Sequence, residues 1–156
     1  MNTSNASRLT RVETQLRDFL DAALYGVPEE AILEQAVPGK WSALENLAHL
    51  ARYHEILLER IERILSEKNP SFSRYRAEED PHWEAWRTLS YKEVAAKLAS
   101  LREMLVSRLK PLSDGDYQST GIHPKFGEMT LSLWLEFFLV HEAHHLYTVL
   151  QLVRRG

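Results

Sequence analysis

Apolar side chains recur along this chain with the period of a helix. Leu9, Val12, Leu16, Phe19 and Ala23 are spaced by three and four residues, which puts them on one face of an amphipathic helix. Gly26-Val27-Pro28 ends it, since Gly frees the backbone and Pro cannot continue a helix. A loop with a short helical turn is predicted over 28–40. Ser42 followed by Glu45 forms a capping box. It opens a second helix that runs to about Ser66, with Leu47, Leu50, Leu57, Ile61 and Ile64 apolar, and Asn69-Pro70-Ser71 closes it. Ser90 and Glu93 form another capping box, opening a third helix with Val94, Leu98, Leu101, Leu105 and Leu109 on one stripe, closed by Pro111. The fourth helix is predicted from near Thr130 to about Arg154. Its early turns, Leu131 to Val140, are apolar almost all round, the mark of a central helix. No alternating strand pattern of useful length is present. The expected fold is all-α, a single domain over 1–156 built as an up-down four-helix bundle with two long connecting loops. Those loops, 67–89 and 110–129, exceed ordinary bundle turns, and such connections often cover a binding site. The first carries His82, Trp83 and Trp86; the second carries His123, Pro124 and Gly127.

The fourth helix contains His141-Glu142-Ala143-His144-His145. His141 and His145 are four apart, so their rings project from one face. Two buried imidazoles are costly unless something satisfies them, and a divalent metal does so, because neutral imidazole suits Zn, Ni, Cu or Fe. A third ligand must come from elsewhere: His49, His54, His82 or His123. Periodicity does not single out His49, which lies well round from the apolar arc of Leu50, Leu57 and Ile61 and reads equally as an exposed helix residue. His144 is an alternative to His145, since three apart also shares a face.

Other chemistries have less support. His141 to His145 spells H-E-x-x-H, the zinc-protease signature, but no His, Asp or Glu follows His145 to complete such a site. Glu142 points about 100° round the helix from His141 and is not assigned as a base. A di-iron bundle needs Glu-x-x-His on two helices, and within the four predicted helices only Glu142 to His145 provides one. A G-x-S-x-G elbow and a Gly-rich phosphate loop are both missing. The segment 81–86, with Trp83 and Trp86, reads as aromatic packing of a long link onto the bundle, and Glu78-Glu79-Asp80 as solvated surface.

Composition narrows the classes further. The chain has 156 residues and a formal net charge of -3, with no Lys/Arg block, so neither nucleic acid nor an anionic membrane is an expected partner. It has no cysteine, which excludes disulfides, Cys-based zinc sites and a nucleophilic thiol of its own. The first residues lack a basic-then-apolar signal pattern, and the apolar run 131–140 is too short to span a bilayer. A cytoplasmic protein is expected.

Three segments, in order, resemble the DinB-like (damage-inducible) family of four-helix metalloproteins. Pro38-Gly39-Lys40-Trp41-Ser42 leads into Glu45-Asn46-Leu47-Ala48-His49-Leu50, like that family's approach to helix two. Residues His123-Pro124-Lys125-Phe126-Gly127-Glu128-Met129-Thr130-Leu131 resemble its loop into helix four, and His141 to Leu146 its H-x-x-x-H ending. The resemblance covers nearly the whole domain. It implies that His49 joins His141 and His145 as a metal triad, with His145 preferred over His144 by spacing. It implies nickel or zinc as the metal, thiol-dependent transferase or isomerase chemistry with a low-molecular-weight thiol among relatives, and often a homodimer. Three His with open positions is a catalytic layout.

Two readings follow, besides a metal-free helical protein whose His rings are satisfied by hydrogen bonds. In the first, a metalloenzyme activates a water or a small thiol against a small-molecule substrate, as a transferase, isomerase or metal-dependent hydrolase. Its pocket is expected to be lined by Tyr53, Trp134 and the two long loops. In the second, the domain is a non-catalytic metal-binding or stress-response module.

Overall fold

The computed structural model describes residues 1–155. Four long helices make the frame: α1 (Thr3–Ala23), α3 (Ala43–Ser66), α5 (Tyr91–Leu109) and α6 (Leu131–Val153). Two short ones, α2 (Glu29–Leu33) and α4 (Trp83–Arg87), sit in the connections. Both predicted capping boxes form. The Ser42 and Ser90 side chains accept from the backbone N–H of Glu45 and Glu93, whose carboxylates reach back to the serine N–H groups. Each box satisfies donors that a helix start leaves unpaired, which is why the predicted starts of these two helices are met.

The expected four-helix bundle is present, and cross-helix contacts give its path. Ser132 meets Asn5, Glu142 meets Gln15, and Arg154 meets Ala23, so α1 and α6 run parallel. His145 meets Asn46 while His141 meets Tyr53, so α6 runs against α3. Arg108 pairs with Glu62 near the ends of α5 and α3, and Arg87, just before α5, pairs with Glu45 near the start of α3, so these two are parallel. The helices therefore run up, down, down, up. α3 packs on α5 and α6, and α1 packs on the same two, leaving α1 and α3 on one diagonal. Parallel neighbours cannot be joined by a tight turn, which is the physical reason the link from α3 to α5 is long.

The core has two clusters. One gathers Val12, Leu57, Ile61, Leu105, Trp134 and Phe138; the other gathers Leu16, Leu47, Leu98, Leu146 and Val149. A polar layer lies between them, with Gln15, Arg102 and Glu142 joined across three helices. Trp83 and Trp86 are buried against the second cluster, as the packing reading of 81–86 expects. The link itself forms the short helix α4.

One element departs from expectation. Thr120–His123 (β1) and Gly127–Thr130 (β2) form an antiparallel hairpin, with Thr120 opposite Thr130 and His123 opposite Gly127. Four residues a side are too few to show alternation, so periodicity could not find it. Gly127 has φ 73, the left-handed backbone that glycine takes without steric cost. At Gly121 a Cβ would lie 2.8 Å from Phe72 and 2.9 Å from Ile64, so only a bare backbone passes there. The hairpin also binds the other long link: Ile122 N–H donates to the Pro70 carbonyl at 2.8 Å, and Phe72 N–H to that of Ile122 at 3.1 Å. The two loops thus form one roof. No described helix is long and apolar enough to cross a membrane.

Candidate metal centre

His49, second turn of α3, and His141 and His145, one turn apart on α6, face each other where the antiparallel pair crosses. Each offers one ring nitrogen, and these lie within 4.8 Å of one another. The closest pair is His49 Nε2 and His141 Nε2, at 3.2 Å. Two nitrogens bound to one tetrahedral zinc at 2.0–2.1 Å would be about 3.3 Å apart, so the spacing fits a shared ion. His49, which periodicity left open, is 5% exposed. It is buried because α6 and the loops cover it, not because it lies on the apolar arc of its own helix. His144 is exposed, leaving His145 as the inward member of that pair.

The rings are held ready to ligate. Burial, with a smaller push from His145, lowers His49 to about 3 and His141 to about 2. Burial and then His144 lower His145 to about 4. All three are therefore neutral near neutral pH, the form that binds metal. His145 Nδ1 lies 2.8 Å from Asn46 Oδ1. An amide oxygen only accepts, so Nδ1 carries the proton and Nε2 keeps its lone pair for an ion. Asn46 itself is anchored by donating to the Ser42 carbonyl at 2.9 Å. Sequence reasoning missed this residue; its place one turn before His49 was the available signal. Aromatic rings enclose the group: Trp41 lies 5.0 Å from His49 between centroids, Tyr75 stacks on His49 at 5.7 Å, and Tyr53 lies 4.4 Å from His141.

The triad opens into a cavity of about 760 Å³. Its walls include Tyr53 and both long loops, through residues 73–78 and 123–126. Trp134 does not line it, contrary to expectation. It is fully buried, its ring against Phe72 and His123, and its indole N–H donates to the Gly121 carbonyl at 3.4 Å. It supports the roof from behind.

The remaining candidates serve structure. Glu142 is completely buried on the adjoining face of α6, ion-paired with Arg102 and accepting from Gln15 Nε2 at 3.0 Å. It faces α1 and α5, so it is neither the base of a zinc protease nor a ligand of a di-iron site. His54 is a core residue, with Nδ1 2.7 Å from the Leu50 carbonyl. His82 is exposed at the start of α4. His123 lines the cavity, but its Nδ1 accepts the backbone N–H groups of Lys125 and Phe126, both at 3.1 Å, and so pins the hairpin turn.

Comparison with known proteins gives the fold and the family. YuaE of Bacillus subtilis (strain 168), an uncharacterised protein, is 27% identical over 135 residues, covering 79% of this chain and 83% of that one. The fold matches YfiT from Bacillus subtilis with a TM-score of 0.80 at 21% identity, over 99% of this chain and 89% of that one. YfiT is described as a probable metal-dependent hydrolase with an unusual four-helix bundle topology. The sequence pattern of the DinB superfamily matches residues 9–149, which reach into all four long helices and include the three histidines, and the chain belongs to that superfamily.

Proposed function

We propose that this protein is a metalloenzyme that holds one divalent ion, nickel or zinc, on His49, His141 and His145. Its reaction is the attack of a water or a low-molecular-weight thiol on a small electrophilic substrate. The observation that carries this reading is the convergence of three neutral imidazoles on the floor of a roofed cavity. A closed structural site would surround its ion with protein ligands; three on one side leave positions free. A divalent ion bound there lowers the pKa of a water or thiol and polarises an electrophile. The chain's own residues do the rest. Asn46 orients His145, while Trp41, Tyr53 and Tyr75 restrict water around the triad. Any thiol must arrive as a small molecule, because the chain has no cysteine. The description of YfiT supports the hydrolase form of this reading.

The first test is metal content. Protein loaded with nickel or zinc should retain about one equivalent per chain. His141→Leu should lose it with the helical circular dichroism unchanged, and retention in that variant would remove the assignment. Loaded protein should then turn over an ester or amide substrate with water, or an epoxide or halo-aromatic with an added thiol.

One observation favours a non-catalytic metal-binding module instead. Glu142 is committed to Arg102, and Glu78 at the rim is the one carboxylate lining the cavity among the described residues. A protein that binds metal but turns over none of these substrates would decide for that module.

A homodimer is part of the proposal. Leu133, Val140 and Tyr147 recur every seven residues on α6 and are all exposed, Val140 by 67%, a stripe suited to a second copy. Sedimentation should give a dimer that Val140→Glu converts to monomer; a wild-type monomer would refute it.

A further inference from the structure

Arg60 on α3 lines the same cavity as the triad and is 8% exposed. Its hydrogen-bond partners are both neutral. Nη1 donates to the Tyr53 hydroxyl at 3.3 Å, and Nη2 to the Ser73 carbonyl at 2.9 Å. Other arginines of α3 are matched with acids: Arg52 with Asp80 and Glu55, and Arg63 with Glu67. No carboxylate pairs with Arg60 among the described residues. A guanidinium carries five N–H donors in a planar fork, and these two bonds engage two of them. The rings of Phe72 and Trp134 lie 5.5 Å from its central carbon and bring no counter-charge. A buried cation with no counter-charge is costly, and an anion arriving in the cavity would remove that cost.

The position is the useful one. Tyr53 accepts from Arg60 and also packs against His141, with ring centroids 4.4 Å apart, so the cation sits one side chain from the triad. At the rim, Arg74 and Lys125 add positive charge against the lone Glu78. The whole chain is net -3, so this local balance runs against the global one.

Resting on the metal reading of the triad given above, we propose that the substrate is a small organic anion, a carboxylate or a phosphate-type ester. Arg60 receives its charged group, while the reacting end lies at the histidines. A charge-assisted, two-pronged contact fixes orientation as well as affinity, which a reaction at a metal one side chain away requires. The competing account makes Arg60 a strap that holds the loop at Ser73 to α3. It explains the Ser73 bond and predicts no preference for anions.

The test is calorimetric titration of the full chain, metal-free and zinc-loaded, with three probes of one shape: benzoate, phenylphosphonate and benzamide. An anion should bind the metal-free protein at least about tenfold more tightly than benzamide, the factor expected for a hydrogen bond to a charged group. The tighter of the two anions identifies the carboxylate or phosphate form. Arg60→Met should abolish the preference with unchanged circular dichroism, and Arg60→Lys, which keeps the charge but loses the fork, should keep part of it. If the methionine variant does not fold, the lysine variant and the wild-type comparison decide. Equal binding of all three probes, or a preference undiminished in the folded variants, overturns the proposal. Zinc content, measured alongside, reads the triad independently. Zinc without anion preference sinks the anion subsite alone, and anion preference without zinc sinks the metal reading alone.

Discussion

Asn46 decides which nitrogen of His145 faces the cavity. Its amide oxygen accepts a hydrogen bond from Nδ1–H, and its own NH₂ donates to the Ser42 carbonyl one turn back. A ligand with its tautomer set in advance loses less freedom on binding an ion, and such supporting contacts are typically worth 10–100-fold in affinity. Asn46→Ala should therefore weaken zinc binding by about that factor in a chelator competition assay, with the fold retained. Unchanged affinity would show that packing alone orients His145. His49 Nδ1 and His141 Nδ1 have no such protein partner, so the effect should be confined to this one ligand.

α6 carries two chemistries on adjoining faces. Toward α3 it presents His141 and His145; toward α1 and α5 it presents Glu142, joined to Arg102 and Gln15. The local sequence H-E-x-x-H makes all three look like one motif, and the helical rotation of 100° per residue separates them. Removing Glu142 should thus damage the fold and leave the metal alone. Glu142→Leu leaves Arg102 buried without its counter-charge, and denaturant unfolding should show a loss of about 3–5 kcal/mol. Metal content per folded chain should not change. A variant that keeps its stability but loses its metal would return Glu142 to the site. α3 shows the same division, since its apolar arc was legible while the burial of His49 depended on what α6 places opposite it.

The molecule as a whole buries four histidine rings among its helices, and they make its stability depend on pH. His49, His54, His141 and His145 are lowered to about 3, 3, 2 and 4, chiefly by burial, against an ordinary value near 6.5. As pH falls through 6.5 the unfolded chain takes up protons that the folded chain refuses. The unfolded state then binds more protons, so stability falls with falling pH. The contribution is full above 6.5 and is lost progressively below it, down to about 4 for His145, about 3 for His49 and His54 and about 2 for His141, at up to about 1.4 kcal/mol per pH unit for each ring. Urea unfolding of the metal-free protein at pH 7.5 and pH 5 should show this, and His54→Leu should flatten the difference without touching a ligand. Equal stability at the two pH values would mean that the rings are hydrated in solution.

The four long helices, the two capped starts and the pairing of His141 with His145 are legible along the chain alone, because periodicity, caps and i,i+4 spacing are local and survive without a partner element. Resemblance to a family supplied His49; its own helix did not. Packing between elements set the rest. The up-down-down-up path, the hairpin at 120–130 and its joining to residues 70–72 arise from contacts between distant segments. So do the burial of His49, the exposure of His144, the retreat of Trp134 behind the roof and the isolation of Arg60. Each depends on which side chain another element places opposite, and no pattern along a single helix carries that information.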